Sequence, residues 1–331
     1  MQAIAYSKQF LHELILDIYR VCLTLFKIMI PAVILIKIAE ELGGIEWLGH
    51  AVGPLMESLG LSESTGLVLA TTMAVNIYGG FVVMADLGLE GGMSIAQATV
   101  LGSLMLMMHG LPVEVAIAKK AGVNVWVILL VRLGGGLLFA SMLHQLYETG
   151  DLLQGPAINL VQMDAQPVTG LWGWALSQLQ SFAVIIVVIA VLLFVLKVLR
   201  VLGIERLMAI MLSPLLRLLG IGKEATSFAI IGITLGLSFG GGLLINEAKK
   251  GHIKARDIFT TIVLLSLLHS LIEDTLLILL IGADFHSIFW GRLLFSVALV
   301  ALLARGLRFV DEMTCQRWFY RSVAMPDAVK S

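Results

Sequence analysis

The chain reads as an all-α polytopic membrane protein built from two inverted-topology repeats, each with about three crossings, an interfacial helix and a re-entrant hairpin. Three observations lead there. Apolar segments are long enough to span a bilayer, landmarks recur at a fixed offset, and the charge of matching loops reverses between the copies.

Composition sets the solvent. The 331 residues are 59% hydrophobic and 14% charged, with a mean hydropathy of +0.97, whereas soluble domains carry about 25% charged residues. Apolar runs at 21–39, 182–196, 259–282 and 288–303 are of the order needed to cross a ~30 Å hydrocarbon core as helices. A net charge of −1 gives no case for nucleic acid as a partner. The lipid bilayer and a small-molecule or ionic substrate are the expected partners, with a homo-oligomer left open. Cys22 and Cys315 lie far apart without metal-ligand spacing and read as incidental. No cleavable signal is evident. Lys8, His12, Glu13, Asp17 and Arg20 alternate with Phe10, Leu11, Leu14, Ile15 and Ile18, which predicts that 1–17 is an amphipathic helix lying on the membrane surface.

Shifting the chain by 160 positions aligns Lys37 with Lys197, Pro54-Leu55 with Pro214-Leu215, Leu59-Gly60 with Leu219-Gly220, His109 with His269, and Arg132-Leu133 with Arg292-Leu293. With a one-residue slip, Tyr78-Gly79-Gly80 meets Phe239-Gly240-Gly241 and Asp86 meets Glu247. Chance leucine matches are common in so apolar a chain, but paired Pro, His and Arg are not. The division expected is repeat 1 at 18–145, an external linker at 146–177, repeat 2 at 178–305 and a cytoplasmic tail at 306–331.

Charge then orients the copies. Residues 38–65 hold Glu40, Glu41, Glu46, Glu57 and Glu63 and no base, whereas 197–224 holds Lys197, Arg200, Arg206, Arg217 and Lys223. Residues 86–93 hold Asp86 and Glu90, and their match holds Lys249, Lys250, Lys254 and Arg256. The polarity reverses at Lys119-Lys120, which matches a base-free 283–287. Opposite charge in equivalent loops is the mark of inverted repeats. Taking the basic side as cytoplasmic places both termini inside a bacterial inner membrane, with interfacial helices at 40–63 and 200–222. The linker, with Glu148, Asp151 and Asp164 and with Trp172 and Trp174 as anchors, lies outside. The segment 64–85 is long enough to cross as one helix. Gly79-Gly80 and Gly240-Gly241-Gly242 interrupt both copies, however, and the charge pattern fails if either segment crosses. A re-entrant hairpin, with irregular backbone buried in protein, satisfies both.

Ionisable residues at bilayer depth mark functional sites. The central candidates are His109 and Glu114 in the first repeat and His269, Glu273 and Asp274 in the second. On an unbroken helix His269 and Glu273 would share a face at i,i+4, with Asp274 rotated by about 100°. Gly110 and Pro112 should break the first copy directly after His109. Hairpin-tip residues Asn76, Gly79, Gly80, Ser238, Gly240 and Gly241 are expected to approach a substrate. Arg132, Arg292, Asp86 and Glu247 are supporting charges; each arginine would neutralise an acid of its own repeat or snorkel to an interface. Gly134-Gly135-Gly136 suits close helix packing. No P-loop, dinucleotide fingerprint or nucleophile elbow is present, so no enzyme is expected and no cofactor beyond a coupling Na+ or H+. Imidazoles with carboxylates could also hold a divalent cation, without a close-spaced ligand motif to say so.

With Pro54 and Pro214 in the interfacial helices, the Gly79-Gly80 and Gly240–Gly242 hairpins, and the stretch His269–Thr275, the chain resembles the nucleoside-recognition, or Gate, family of membrane proteins. That group includes spore maturation proteins, the membrane gate of ferrous iron transporters and the core of concentrative nucleoside transporters. The resemblance implies inverted repeats with hairpins and elevator-like alternating access, and it names no substrate. The soluble GTPase of an iron transporter is not seen here. The expectation is a secondary transporter of a small polar or anionic solute, nucleoside-like if the family label holds. A divalent-metal permease and a non-transporting assembly partner are the alternatives.

Overall fold

The computed structural model describes residues 2–43, 52–89, 92–160 and 170–322. The expectations that rest on Glu46, Glu90, Asp164 and the last residues of the tail lie outside the described residues, as do those on the side chains of Glu40 and Ser238. Among the described residues the chain is helical, with only isolated β-bridges. Six helical segments are long and apolar enough to cross a membrane: Phe10–Ile38, Ile95–Lys120, Val125–Thr149, Gly170–Val201, Ala255–Leu279 and His286–Phe309. That is the number of crossings the sequence leads one to expect.

The N-terminal reading needs correction. Helix α1 runs unbroken from Gln2 to Glu41, so 1–17 is not a separate surface helix. No glycine or proline interrupts the chain before Pro31, and Glu13 and Asp17 have a partner: Lys197 Nζ of the neighbouring helix sits 3.5 Å from Glu13 and 3.2 Å from Asp17.

Two helix pairs are too short to cross. α2 (Thr65–Ala74) and α3 (Ile77–Asp86) have ten residues each, about 15 Å of helix against a ~30 Å core. The bend falls at Val75-Asn76, where the Asn76 side chain accepts a hydrogen bond from Gly79 N at 2.9 Å and caps the second arm. The arms fold side by side, and Gly80 is the reason they fit: a Cβ there would run into Thr72 Oγ1 and the Met105 methyl. After α4 (Ile95–Met108), α5 (Leu111–Lys120), α6 (Val125–Thr149), α7 (Gly170–Val201) and the interfacial α8 (Ile204–Leu218), the pattern recurs. α9 (Lys223–Leu235) and α10 (Leu237–Lys249) turn at Gly236, and Gly240 packs directly on the backbone of Gly232. Both glycine-interrupted segments are therefore hairpins.

Where the hairpins are rooted is read from their contacts. At one end of the bundle the linker lies across the start of α4: Ile95 N donates to Gly155 O and Ala157 N to Met93 O. It then reaches the far end of α12 (Leu271–Leu279), where Leu160 N donates to Leu280 O. Gln97 Nε2 donates to Gly60 O at the same end, so the α2–α3 hairpin enters from there. At the opposite end the C-terminal segment, including α14 (Glu312–Trp318) after α13 (Arg292–Gly306), folds onto the α5–α6 turn; Asn124 N donates to Phe319 O and Arg321 N to Gly122 O. Gly222 abuts Asp257 at the head of α11 (Ala255–Leu268), whose Arg256 donates to Ala304 O. The α9–α10 hairpin enters from that end.

The two ends differ in charge. The linker end carries Glu57, Glu63, Glu148, Asp151 and Asp284. The tail end carries Lys119, Lys120, Lys223, Lys254, Arg256, Arg305, Arg308, Arg317 and Arg321. In a Cys22→Ser/Cys315→Ser background, single cysteines at the exposed positions Glu57 and Glu148 should react with an impermeant maleimide from one and the same side of the membrane. Cysteines at Lys119 and Arg317 should react only from the opposite side. Labelling of all four from one side would overturn this two-ended arrangement.

Candidate functional site

Both central helices break at the same place. α4 ends at Met108; His109 takes extended angles and Gly110 a left-handed φ of 60°, and α5 starts with Pro112 in its first turn. α11 ends at Leu268; His269 is extended and Ser270 is left-handed at φ 46° before α12 begins. The first break is the expected one. The second corrects the reading of an unbroken helix through His269. A serine takes a conformation that glycine adopts freely and that costs other residues about 1–3 kcal/mol, so the surroundings impose the turn. The hairpins do so. Gly110 N donates to Thr72 O at 3.0 Å, and Ser270 N lies 3.4 Å from Gly232 O. Each hairpin thus brings its arm and tip against the break of its own repeat.

Breaking a helix leaves free carbonyls at one end and free N–H groups at the other. Two wholly buried arginines take the carbonyls. Arg132 Nη1 donates to Ser266 O at 2.5 Å, and its Nη2 to His109 O at 2.6 Å. Arg292 Nε donates to Leu267 O at 3.0 Å, and its Nη2 to His269 O at 3.2 Å and Leu106 O at 3.5 Å. Each guanidinium therefore serves the C-terminal ends of both broken helices, where the helix dipole is negative. The contacts exchange between halves: Arg132 reaches the second half at Ser266, and Arg292 reaches the first at Leu106. Both arginines are positioned by π turns, Leu130–Gly134 around Arg132 and His286–Gly291 just before Arg292. π turns recur at functional sites. Neither arginine snorkels.

The free N–H ends hold the acids. Glu114 and Asp274 stand in the first turns of α5 and α12, near their positive dipole ends. Glu114 also forms an ion pair with Arg132. Between the two turns the imidazoles meet, His109 Nε2 lying 2.9 Å from His269 Nε2. Each ring's Nδ1 faces the carbonyl four residues back, Met105 O at 3.1 Å and Leu265 O at 2.8 Å. A carbonyl only accepts, so Nδ1 carries the proton in both rings, which leaves the two Nε2 atoms facing each other. Glu114 Oε1 lies 3.1 Å from His269 Nε2 and 3.6 Å from His109 Nε2. Asp274 Oδ2 lies 3.7 and 3.9 Å from His109 and His269. Two imidazole nitrogens and two carboxylate oxygens, two atoms from each half, gather around the contact between the histidines.

Other expected residues lie elsewhere. Glu273 is half-buried and forms no hydrogen bond or ion pair among the described residues; because the helix breaks, it is Asp274 that reaches the histidines. The 160-residue offset already pairs Asp274 with Glu114, and that was the signal available. Asn76 is a cap, and Gly80 and Gly240 are packing contacts between hairpin arms. Gly79 faces Thr71 and Val75, and Gly241 packs on Ile117 of α5. Asp86 accepts from Gln178, and Glu247 pairs with Lys250 at 2.5 Å, both away from the cluster. Gly135 and Gly136 sit against Leu299 and Met108, as close helix packing requires.

Removing one side of a buried charge network leaves the other uncompensated, at a cost of about 3–5 kcal/mol. Arg132→Met and Arg292→Met should each sharply lower the thermal midpoint in detergent, while Glu57→Gln leaves it unchanged. Arg132→Lys should recover little, because an ammonium lacks the directed fork that reaches two carbonyls. Unchanged melting of both methionine variants would show that these bonds do not hold the centre.

No solved structure matches the chain. It is 25% identical over 290 residues to the uncharacterised membrane protein YvoD of Bacillus subtilis (strain 168), covering 86% of this chain and 89% of that one. Residues 22–122 match the Gate family model, described as nucleoside recognition. This stretch spans the first hairpin, the first helix break and Glu114. The protein is a multi-pass membrane protein whose first half carries the Gate, or nucleoside-recognition, match.

Proposed function

We propose that the protein is a secondary transporter, not an enzyme, that moves a small polar or anionic solute across a bacterial inner membrane, coupled to a cation held at the central cluster. The observation that carries this is the meeting of two hairpins, rooted at opposite ends of the bundle, with two helix breaks that enclose buried ionisable groups. Discontinuous helices that turn free backbone groups toward mid-depth are how transporters build solute and ion sites. The Gate match supports a nucleoside-like solute. Cytoplasmic termini follow from the basic tail end. The exchange of contacts between Arg132 and Arg292 fits inverted repeats related by a twofold in the membrane plane, which would allow elevator-like movement of one hairpin-bearing body against the other. The two acids by themselves would suit a proton or sodium as the coupling ion.

The test is uptake of radiolabelled uridine, and of orotate as an anionic probe, into proteoliposomes under imposed proton and sodium gradients. Wild-type protein should accumulate at least one of them above empty liposomes. Glu114→Gln and Asp274→Asn should reduce that uptake roughly tenfold or more while still inserting. Normal uptake by both variants would remove the cluster from the mechanism, and no uptake of either probe by wild type would overturn the solute class.

A further inference from the structure

We infer that the cluster of His109, His269, Glu114 and Asp274 is a binding site for one divalent transition-metal ion, of the kind taken by mixed imidazole and carboxylate donors. The inference rests on the reading of this cluster as the working centre, and it narrows the cation that the centre holds.

The donors come first. Both imidazoles have their Nδ1 protons committed to backbone carbonyls, so two Nε2 lone pairs face each other at 2.9 Å. That contact is repulsive unless something positive lies between or beside them. Hydrogen bonding of the outer nitrogen to a carbonyl is also the support that metal-ligating histidines carry, because it fixes the tautomer and the ring plane. Asp274 Oδ2 is buried and has no hydrogen-bond partner, although an orphaned buried carboxylate oxygen is costly. Nothing among the described residues donates to the point where these atoms converge.

Geometry comes next. His109, His269 and Asp274 offer ligand atoms that all lie within 4.8 Å of one another, and Glu114 Oε1 lies 3.1 and 3.6 Å from the two imidazoles. A tetrahedral ion with bonds of about 2.0–2.1 Å needs its ligands about 3.3–3.4 Å apart. The five separations that involve an imidazole fall between 2.9 and 3.9 Å, on either side of that value. Nitrogen donors tell against sodium and magnesium, which prefer oxygen, and suit zinc, ferrous iron or manganese. Two carboxylates supply the negative charge that faces a dication, shared with the guanidinium that pairs with Glu114. The neighbouring guanidiniums are directed at the carbonyls of helix C-termini and, through Arg132, at Glu114.

The ligand set has a mechanical consequence. His109 and Glu114 belong to the first half, and His269 and Asp274 to the second. A bound ion therefore staples the halves at the point where both central helices break, and its release requires them to separate. Whether the ion is cargo or a partner of another solute, its occupancy reports that the halves are together.

The experiment uses the full-length protein in nanodiscs, dialysed separately against Zn2+, Fe2+ under anaerobic conditions, Mn2+ and Co2+, with bound metal counted by plasma mass spectrometry. One ion per chain is expected for at least one metal. Co2+ should give the intense visible absorption of a tetrahedral N/O site. His269→Ala and the nearly isosteric Asp274→Asn should weaken binding roughly tenfold or more, while Glu148→Gln at the linker end binds as wild type; monodispersity on gel filtration reports folding of each. Absence of stoichiometric metal in wild type, or retention in both cluster variants, overturns the inference and leaves a shared proton between the imidazoles as the cation. Metal binding without uridine or orotate uptake would keep this site and discard the solute proposed above; uptake without metal would do the reverse.

Discussion

The structure depends on how two guanidiniums are kept charged in the interior of a membrane protein. A charge at the bilayer centre is costly unless it meets partners, and the partners of Arg132 and Arg292 are mainly backbone. Each arginine bonds carbonyls released where a helix stops short, on its own half and on the other. The break and the arginine need each other. Without the break there would be no free carbonyls at that depth, and without the guanidinium those carbonyls would be buried unsatisfied. The acids at the other side of each break complete the balance, one near the start of α5 and one near the start of α12.

The hairpins follow from that constraint. A broken helix in a membrane must have its irregular backbone covered by protein, and in each half the cover is a hairpin whose arm offers a carbonyl to the residue at the break, Thr72 to Gly110 and Gly232 to Ser270. Glycine serves these hairpins as a packing residue. Gly240 lies on Gly232 and Gly80 on Thr72, so side chains at these places would spread the arms. The hairpins are rooted at opposite ends of the bundle, and one reaches the cluster from each end.

The ends themselves are distinguished by charge. The base-rich tail end gathers the α5–α6 turn, the heads of α9 and α11 and the C-terminal segment. The acidic end gathers the linker, the root of the first hairpin and the loop after α12. Segments far apart in sequence but alike in charge are thus brought together.

The sequence by itself determined the membrane setting, the number of long apolar helices, the hairpins and the break after His109, because hydropathy, glycine and proline act locally and can be read locally. It also put His109 with His269 and Arg132 with Arg292 through a fixed offset. Tertiary structure decided the rest. The turn at Ser270 is imposed by Gly232 and Gly236 of the second hairpin, since a serine has no intrinsic reason to adopt a left-handed φ. That turn selects Asp274 over Glu273 as the acid that meets the histidines. Lys197 of a distant helix pairs with Glu13 and Asp17 of α1, a contact that no local stretch encodes. The 2.9 Å approach of two imidazoles exists only once both breaks, both hairpins and both arginines are in place, because it is a contact between halves that no single stretch of chain encodes.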